Sequence, residues 1–341
     1  MLRERCLSTL GKEQVEKMAF SDDAEQVNEW LKQVREFRRL ILEVEDFPLQ
    51  YFYDVRESIV RIRIEDTHLE ENELFDLRRS LSTIDCIVKI LNHSDEGESH
   101  AEENDGWRRE KKYTYPSLHL LAKDIVTFPQ IVQRIDQILD KFGKIRDNAT
   151  PELLQIRREL AKTEGSISRT LYSILRSAQS EGVVEKDVTP TLRDGRLVIP
   201  VIPTLKKKIK GIVHDESATG KTVFIEPTEV VEANNRVREL EGEERKEIIR
   251  ILTQFTNKLR PYTREIMDSY RFLAKIDLIQ AKQKLAEIQK AIEPEVEDHP
   301  HIDWIRAIHP LLQQSLEKKG EKVVPLDITL TQDKRILIIS G

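Results

Sequence analysis

Between Leu153 and Ala178 the residues Leu153, Ile156, Leu160, Thr163, Ile167, Leu171, Ile174 and Ala178 return at steps of three and four. A seam of that period, about four heptads long, is buried most simply against a second long helix. Thr150 and Pro151 supply an N-cap and a first residue already set for helix. The partner is expected within the chain. From Thr228 to about Ala291 the sequence is helical again, with Val237, Leu240, Ile248, Ile251, Phe255 and Leu259 on one face and a kink or break at Pro261. The two helices are therefore expected to run antiparallel, and what lies between them sits at their tip.

That intervening segment, 188–227, reads as β. Asp194-Gly195, inside Leu192–Leu197, suits a type I′ hairpin turn, and Val198–Val201 continues the strand. Gly211–Pro227 reads GIVHDESATGKTVFIEP. Its Gly220-Lys221-Thr222 has the ending of a phosphate-binding loop, but that loop needs glycine at 215, where this chain has Asp215. It must also open a helix, whereas Val223-Phe224-Ile225 are strand residues closed by Pro227. The segment is thus a hairpin: Ile209–His214 outward, a turn over Asp215–Gly220, Lys221–Glu226 back. Alternation along the returning strand predicts that Phe224 packs into the module and Glu226 faces water.

The first ~150 residues read as helical. Asp22 with Glu25 forms a capping box before an apolar series Val27, Trp30, Val34, Phe37, Ile41 and Val44. A helix over Glu71–Leu91 presents Leu74, Leu77, Leu81, Ile84 and Val88, and further helices are expected over Ser117–Leu121 and Phe128–Phe142. Asn92–Gly106 is polar, with six acids and no base from Asp95 to Asp105. It is expected to be a mobile loop, cut first in limited proteolysis. Beyond Pro294, Val323–Leu330 and Ile336–Ile339 read as strands.

At 39% apolar and 34% charged residues, with only 12 Gly and 13 Pro in 341 residues, long solvated helices are favoured over one globule. The net charge of −6 carries no global nucleic-acid signal, but it is uneven. Cys6 and Cys86 make no disulfide framework, no apolar run is long enough to span a bilayer, and MLRERCLSTLGKEQ lacks a signal-peptide core. A reducing, cytoplasmic location is expected.

The tip carries Arg193, Arg196, Lys206, Lys207, Lys208, Lys210 and Lys221 against Asp194, Asp215, Glu216 and Glu226, an excess of three positive charges. Such a cluster suits phosphate-backbone contact, without an aromatic platform for single-stranded bases. The alternative is a solvated sheet edge kept soluble by its lysines. His299, His301 and His309, near Asp298 and Asp303, match no zinc spacing, so a polar loop and no metal site is expected. No nucleophile elbow or Cys/His arrangement occurs. Glu241, Glu243, Glu244 and Glu247, interleaved with Arg245, Lys246 and Arg250, read as exposed helical ion pairs. No catalytic residue is assigned.

Gly211-Ile-Val-His214, Ser217–Gly220, Thr222–Pro227, Asn234-Asn235 and the Glu243-Glu244 helix resemble the lever and clamp of the MutS family, in its second bacterial branch. A second match is His309-Pro-Leu-Leu312, Val324-Pro-Leu-Asp327 and Lys334–Gly341. The resemblance is strong over 190–341 and looser before. It implies a mainly α fold: a helical core with a long antiparallel coiled-coil lever, a small antiparallel β clamp, and a partial α/β start at the C-terminus. The parts implied are core 1–149, ascending lever 150–187, clamp 188–227, descending lever 228–260, core 261–306, and the beginning of an ATPase domain over 307–341.

His309, Pro310 and Gly341 would contribute to an incomplete ATP site, Gly341 as the first glycine of the Walker loop. The Walker lysine, Walker B carboxylate and nuclease domain are not in this sequence. ATP and Mg²⁺ are therefore expected only in a longer parent, an ATPase and candidate endonuclease, and this part is expected to be non-catalytic and not to bind ATP tightly. The resemblance further implies a homodimer acting on duplex or branched DNA in recombination suppression, or on ribosomal RNA in ribosome rescue, with no membrane association. A purely structural coiled-coil interaction module is the alternative.

Overall fold

A computed structural model describes residues 1–50, 52–94 and 112–339. Helix accounts for 57% and strand for 11%, so the fold is mainly α with small antiparallel sheets. In chain order the elements are α1 (Thr9–Glu16), α2 (Ala24–Glu43), α3 (Arg56–Arg61), α4 (Glu71–Leu91), α5 (Pro116–Ala122), α6 (Pro129–Ile138) and α7 (Pro151–Ser180). Then come β1 (Thr191–Arg193), β2 (Arg196–Val201), β3 (Gly211–Glu216) and β4 (Val223–Pro227). The chain continues with α8 (Thr228–Leu259), α9 (Thr263–Ile288), β5 (Ile302–Ala307), α10 (Pro310–Glu317) and β6 (Leu326–Leu330). Among the described residues no helix is long and apolar enough to cross a membrane. Cys6 and Cys86 are both free.

The chain divides into two units. One comprises Met1–Ile59, Asp76–Pro129 and Tyr262–Gly341. Here Asp277 of α9 is fully buried. Its carboxylate accepts hydrogen bonds from the Leu7 and Ser8 amides at 2.9 and 3.0 Å and from the Ser8 hydroxyl at 2.6 Å. The Ser8 hydroxyl in turn caps α1 by accepting from the Gly11 amide. The start of α1 is thereby fixed to α9.

Several expectations in this unit are corrected. The cap of α2 is Asp23, which accepts from the Gln26 amide, one residue after the expected Asp22–Glu25 box. Ile302–Ala307, for which no strand was expected, is strand β5, paired antiparallel with β6. β6 begins at Leu326, because Pro325 has no N–H for a ladder. Ile336–Ile339 forms no strand: among the described residues no segment pairs with it, and all four side chains are exposed. Most of the expected acidic loop, Asp95–Gly106, lies outside the described residues.

The other unit comprises Val60–Phe75 and Gln130–Pro261. The helix expected over Phe128–Phe142 stops at Ile138, because Asp140 accepts from the Phe142 and Lys144 amides and turns the chain. α7 starts where Thr150-Pro151 requires: the Thr150 hydroxyl accepts from the Leu153 amide at 3.1 Å. α8 lies antiparallel beside α7, since Thr150 bonds Glu247, Arg157 bonds Glu244 and Arg236 bonds Glu159. Ile167, Leu171, Leu175 and Ala178 of α7 and Val230 and Val237 of α8 share one core with Ile199, Val201, Val223 and Ile225 of the sheet. The sheet, ordered β1-β2-β4-β3 and antiparallel throughout, is thus seated on the helix pair by a common apolar cluster.

The buried face of α8 includes three polar residues that an apolar count misses: Asn234, Glu247 and Thr256. Each has a partner, Thr256 by accepting from the Leu69 amide and Glu247 by accepting from Thr150 and Arg250. Glu247, expected as an exposed ion-pairing residue, is therefore corrected to a buried one.

Gly165 sits inside α7, where an added Cβ would meet nothing within 4 Å. Gly165→Ala is expected to stabilise the protein by about 0.5–1 kcal/mol, since glycine costs backbone entropy in a helix interior. A lower urea midpoint for the variant would contradict this.

Candidate nucleic-acid interface

The β1–β2 turn has Asp194 and Gly195 at φ of 47° and 73°, the left-handed pair that a type I′ turn demands. The β3–β4 turn is organised by Ser217, whose hydroxyl accepts from the Lys221 and Thr222 amides at 3.1 and 3.0 Å. Gly220 takes a φ of 63° there. A strand follows Thr222, not a helix, so Gly220-Lys221-Thr222 is a hairpin turn that presents Lys221 to solvent.

Lys206, Lys207 and Lys208 lie in a 3-10 turn over Pro203–Lys208. The turn is held by Leu205 at its middle, packed on the shared core, and by Ile209 just after it, buried in that core. With those two anchors inward, the lysines point outward. Lys206, Lys207, Lys208, Lys210 and Lys221 are all exposed, and among the described residues none forms an ion pair.

The two arginines of the expected site are placed differently. Arg193 lies 4.2 Å above the Phe224 ring and 3.7 Å from an Asp215 oxygen, with its side chain half-exposed. Arg196 is 12% exposed and engaged inward. Its guanidinium donates to both Glu226 oxygens at 2.8 and 2.9 Å and to Asn235 Oδ1 at 2.6 Å.

Glu226 overturns its expectation. β4 is buried along its whole length, and the Glu226 side chain has no exposed surface. Phe224 packs inward as expected, but Glu226 does so too. Besides Arg196, it accepts from Asn234 Nδ2 at 2.7 Å and from the His214 imidazole. His214 reaches it because β3 bulges there: Val213 pairs with Ile225 and Asp215 with Phe224, leaving His214 as the extra residue. Burial opposes the Glu226 charge, yet hydrogen bonds from Asn234, His214 and Arg196 outweigh it and hold the carboxyl below its ordinary 4.5. The network joins β2, β3, β4 and α8. Apart from Arg196 it consists of residues that carried the family resemblance, and its bonds set the module on its helix.

The remaining candidates lie elsewhere. His309 caps α10, its Nδ1 accepting from the Leu312 amide at 3.3 Å, and Pro310 is the first helical residue. Gly341 lies outside the described residues. Glu297, which was not among the expected candidates, joins His299 and His301 to bring one carboxylate and two imidazoles within 4.8 Å of one another at the surface. Glu297 and His299 are 3.2 Å apart, and the two imidazoles stack at 5.8 Å.

No family model matches the chain. Over its whole length it is 34% identical to Endonuclease MutS2 of Geobacillus sp. (strain WCH70), of which it covers 41%. It is 34% identical to Endonuclease MutS2 of Levilactobacillus brevis and 29% identical to that of Alkaliphilus oremlandii, covering 40% of each. The chain therefore spans about two fifths of the length of these curated relatives.

Proposed function

This chain belongs to the MutS2 branch of the MutS family, and from that premise we propose that its β module is a nucleic-acid clamp carried on a lever, the α7–α8 pair. One observation carries the reading. Five lysines stand exposed and unpaired around two anchored turns, while the arginine beside them is withdrawn into a buried network. A surface that only needed solubility would gain as much from paired charges. Unpaired cations on a rigid base suit phosphates, with little sequence discrimination.

The module acts within a longer, dimeric protein, and its target is DNA, duplex or branched, or ribosomal RNA. α7 is about 45 Å long at 1.5 Å per residue, so a small rotation at its base becomes a large displacement at the sheet. ATP and Mg²⁺ belong to the longer protein. Gly220-Lys221-Thr222 is not a cradle for them, since Thr222 leads into β4 and not into a helix. The ATPase activity, and the endonuclease activity that the relatives' name states, are likewise proposed for the longer protein and not for these residues.

Lys206→Gln/Lys207→Gln/Lys208→Gln is expected to weaken binding to DNA and RNA and to flatten the dependence of log affinity on log salt by roughly one unit for each phosphate no longer neutralised. Unchanged affinity and slope would favour the structural interaction module instead.

A further inference from the structure

The apolar period of α7 has a counterpart in charge on its opposite face. At about 100° per residue, Arg158, Lys162, Arg169, Tyr172 and Arg176 fall within about 40° of a single line along the helix. All five are exposed. The acids of the same helix, Glu152, Glu159 and Glu164, lie about 100° or more from that line, and Ile167 and Leu171 face the opposite way into the core.

Three arginines of the helix pair are engaged with carboxylates. Arg157 binds Glu244 and Asp147, Arg236 binds Glu159, Glu239 and Glu243, and Arg250 binds Glu247 and Glu152. Among the described residues, Arg158, Lys162, Arg169 and Arg176 pair with no carboxylate; Arg169 only donates to the Gly165 carbonyl of its own helix. Of the five cations of α7, Arg157 thus holds the helix pair together, while the other four share one line and hold no carboxylate among the described residues; on α8, Arg238, which donates to the Asp194 carbonyl, and Arg245 likewise hold none.

We propose that Arg158, Lys162, Arg169 and Arg176 form a second phosphate-contacting surface, which runs along α7 and takes the backbone of a nucleic-acid duplex. The inference rests on the nucleic-acid reading of the lysine-bearing module, and extends contact from the tip down the helix. The line from Arg158 to Arg176 is about 27 Å long at 1.5 Å per residue, matching about eight steps of a duplex at 3.4 Å each. A straight run of cations with one tyrosine suits a duplex backbone; single strands need successive aromatic platforms. An acidic protein partner is disfavoured, because the face has no apolar centre around which a protein interface would close.

The test uses the 341-residue chain with mixed-sequence DNA and RNA duplexes long enough to cover both surfaces. Arg158→Gln/Lys162→Gln/Arg169→Gln/Arg176→Gln should lower the salt slope by about two to four units, at roughly 0.9 for each phosphate left without its cation. Arg158→Lys/Arg169→Lys/Arg176→Lys should bind as the wild type does. The two duplexes distinguish DNA from RNA as the source of the phosphates. If the glutamine variant unfolds, Arg169→Gln and Arg176→Gln taken singly should each remove about 0.9 of the slope.

An unchanged slope in the stripe variants, with a reduced one in the 206–208 variant, overturns this inference and leaves the proposed function standing. Failure of the wild type to bind either duplex at low salt overturns both. Competition by poly-glutamate as effective as duplex of equal charge also overturns the inference, in favour of an acidic protein.

Discussion

Glu226→Ala is expected to cost about 3–5 kcal/mol of folding stability. The variant leaves Arg196, 12% exposed, without the carboxylate that both of its bonds to residue 226 require, and leaves Asn234 with an unpaired buried donor. Removing one member of a buried pair is costly because the other remains desolvated. Replacing both Arg196 and Glu226 by leucine should cost less than the two single losses combined, since no charge is then stranded. Urea denaturation followed by circular dichroism measures both, and a single-variant loss below about 1 kcal/mol would show that the network is not closed as described.

The same carboxylate gives the sign of a pH effect. Its folded-state pKa is depressed below the ordinary 4.5. The stability it contributes is therefore complete above about pH 4.5 and is lost as the pH falls through the folded value. The gap between wild type and Glu226→Ala should narrow on acidification below that point and should not close because of this group on the alkaline side.

Much of the helical framework was legible because its signals are local. Thr150-Pro151 starts α7, Pro261 separates α8, ending at Leu259, from α9, starting at Thr263, and Asp194-Gly195 makes its turn. Each needs only a residue's own backbone preferences or those of its neighbours. The failures have the opposite character. Glu226 was expected to face water because strands alternate, but β4 is paired on both sides and buried throughout. Its principal partner lies 30 residues earlier, and a second reaches it only through the bulge at His214. Nothing within β4 announces either. β5 was missed for the same reason, since its partner β6 lies beyond α10.

The candidate site divides along the same line. The lysines at 206–208, 210 and 221 were visible as local charge. Arg196 was visible too, but only the fold shows it turned inward. The cationic line on α7 is present in the sequence at steps of four, seven and seven, and it escapes notice when the helical period is applied to apolar residues alone. Applying that period to charge, and then asking which cations have partners, recovers the line.

Leu171→Ala is expected to cost about 2–5 kcal/mol, the range for emptying a fully buried leucine site. Leu171 has no exposed surface and sits in the core that α7 shares with α8 and the sheet. Leu160, only partly buried against the same cluster, should cost less on the same substitution, because less apolar area leaves water when it packs. The position of Leu171 also predicts where the damage spreads. Ile199, Val201, Val223 and Ile225 pack in that cluster with it, so the cavity lies under the sheet as well as between the helices. Hydrogen exchange at the β2 and β4 amides should therefore quicken along with exchange in α7. Slower or unchanged strand exchange, with α7 alone loosened, would mean that the sheet is held by the Glu226 network and not by the shared apolar core. An unfolding midpoint equal to the wild type's would remove Leu171 from that core altogether. If both helix and strands loosen together, the lysine-bearing turns are mounted on the helix pair through a continuous core, as a lever moving a clamp requires.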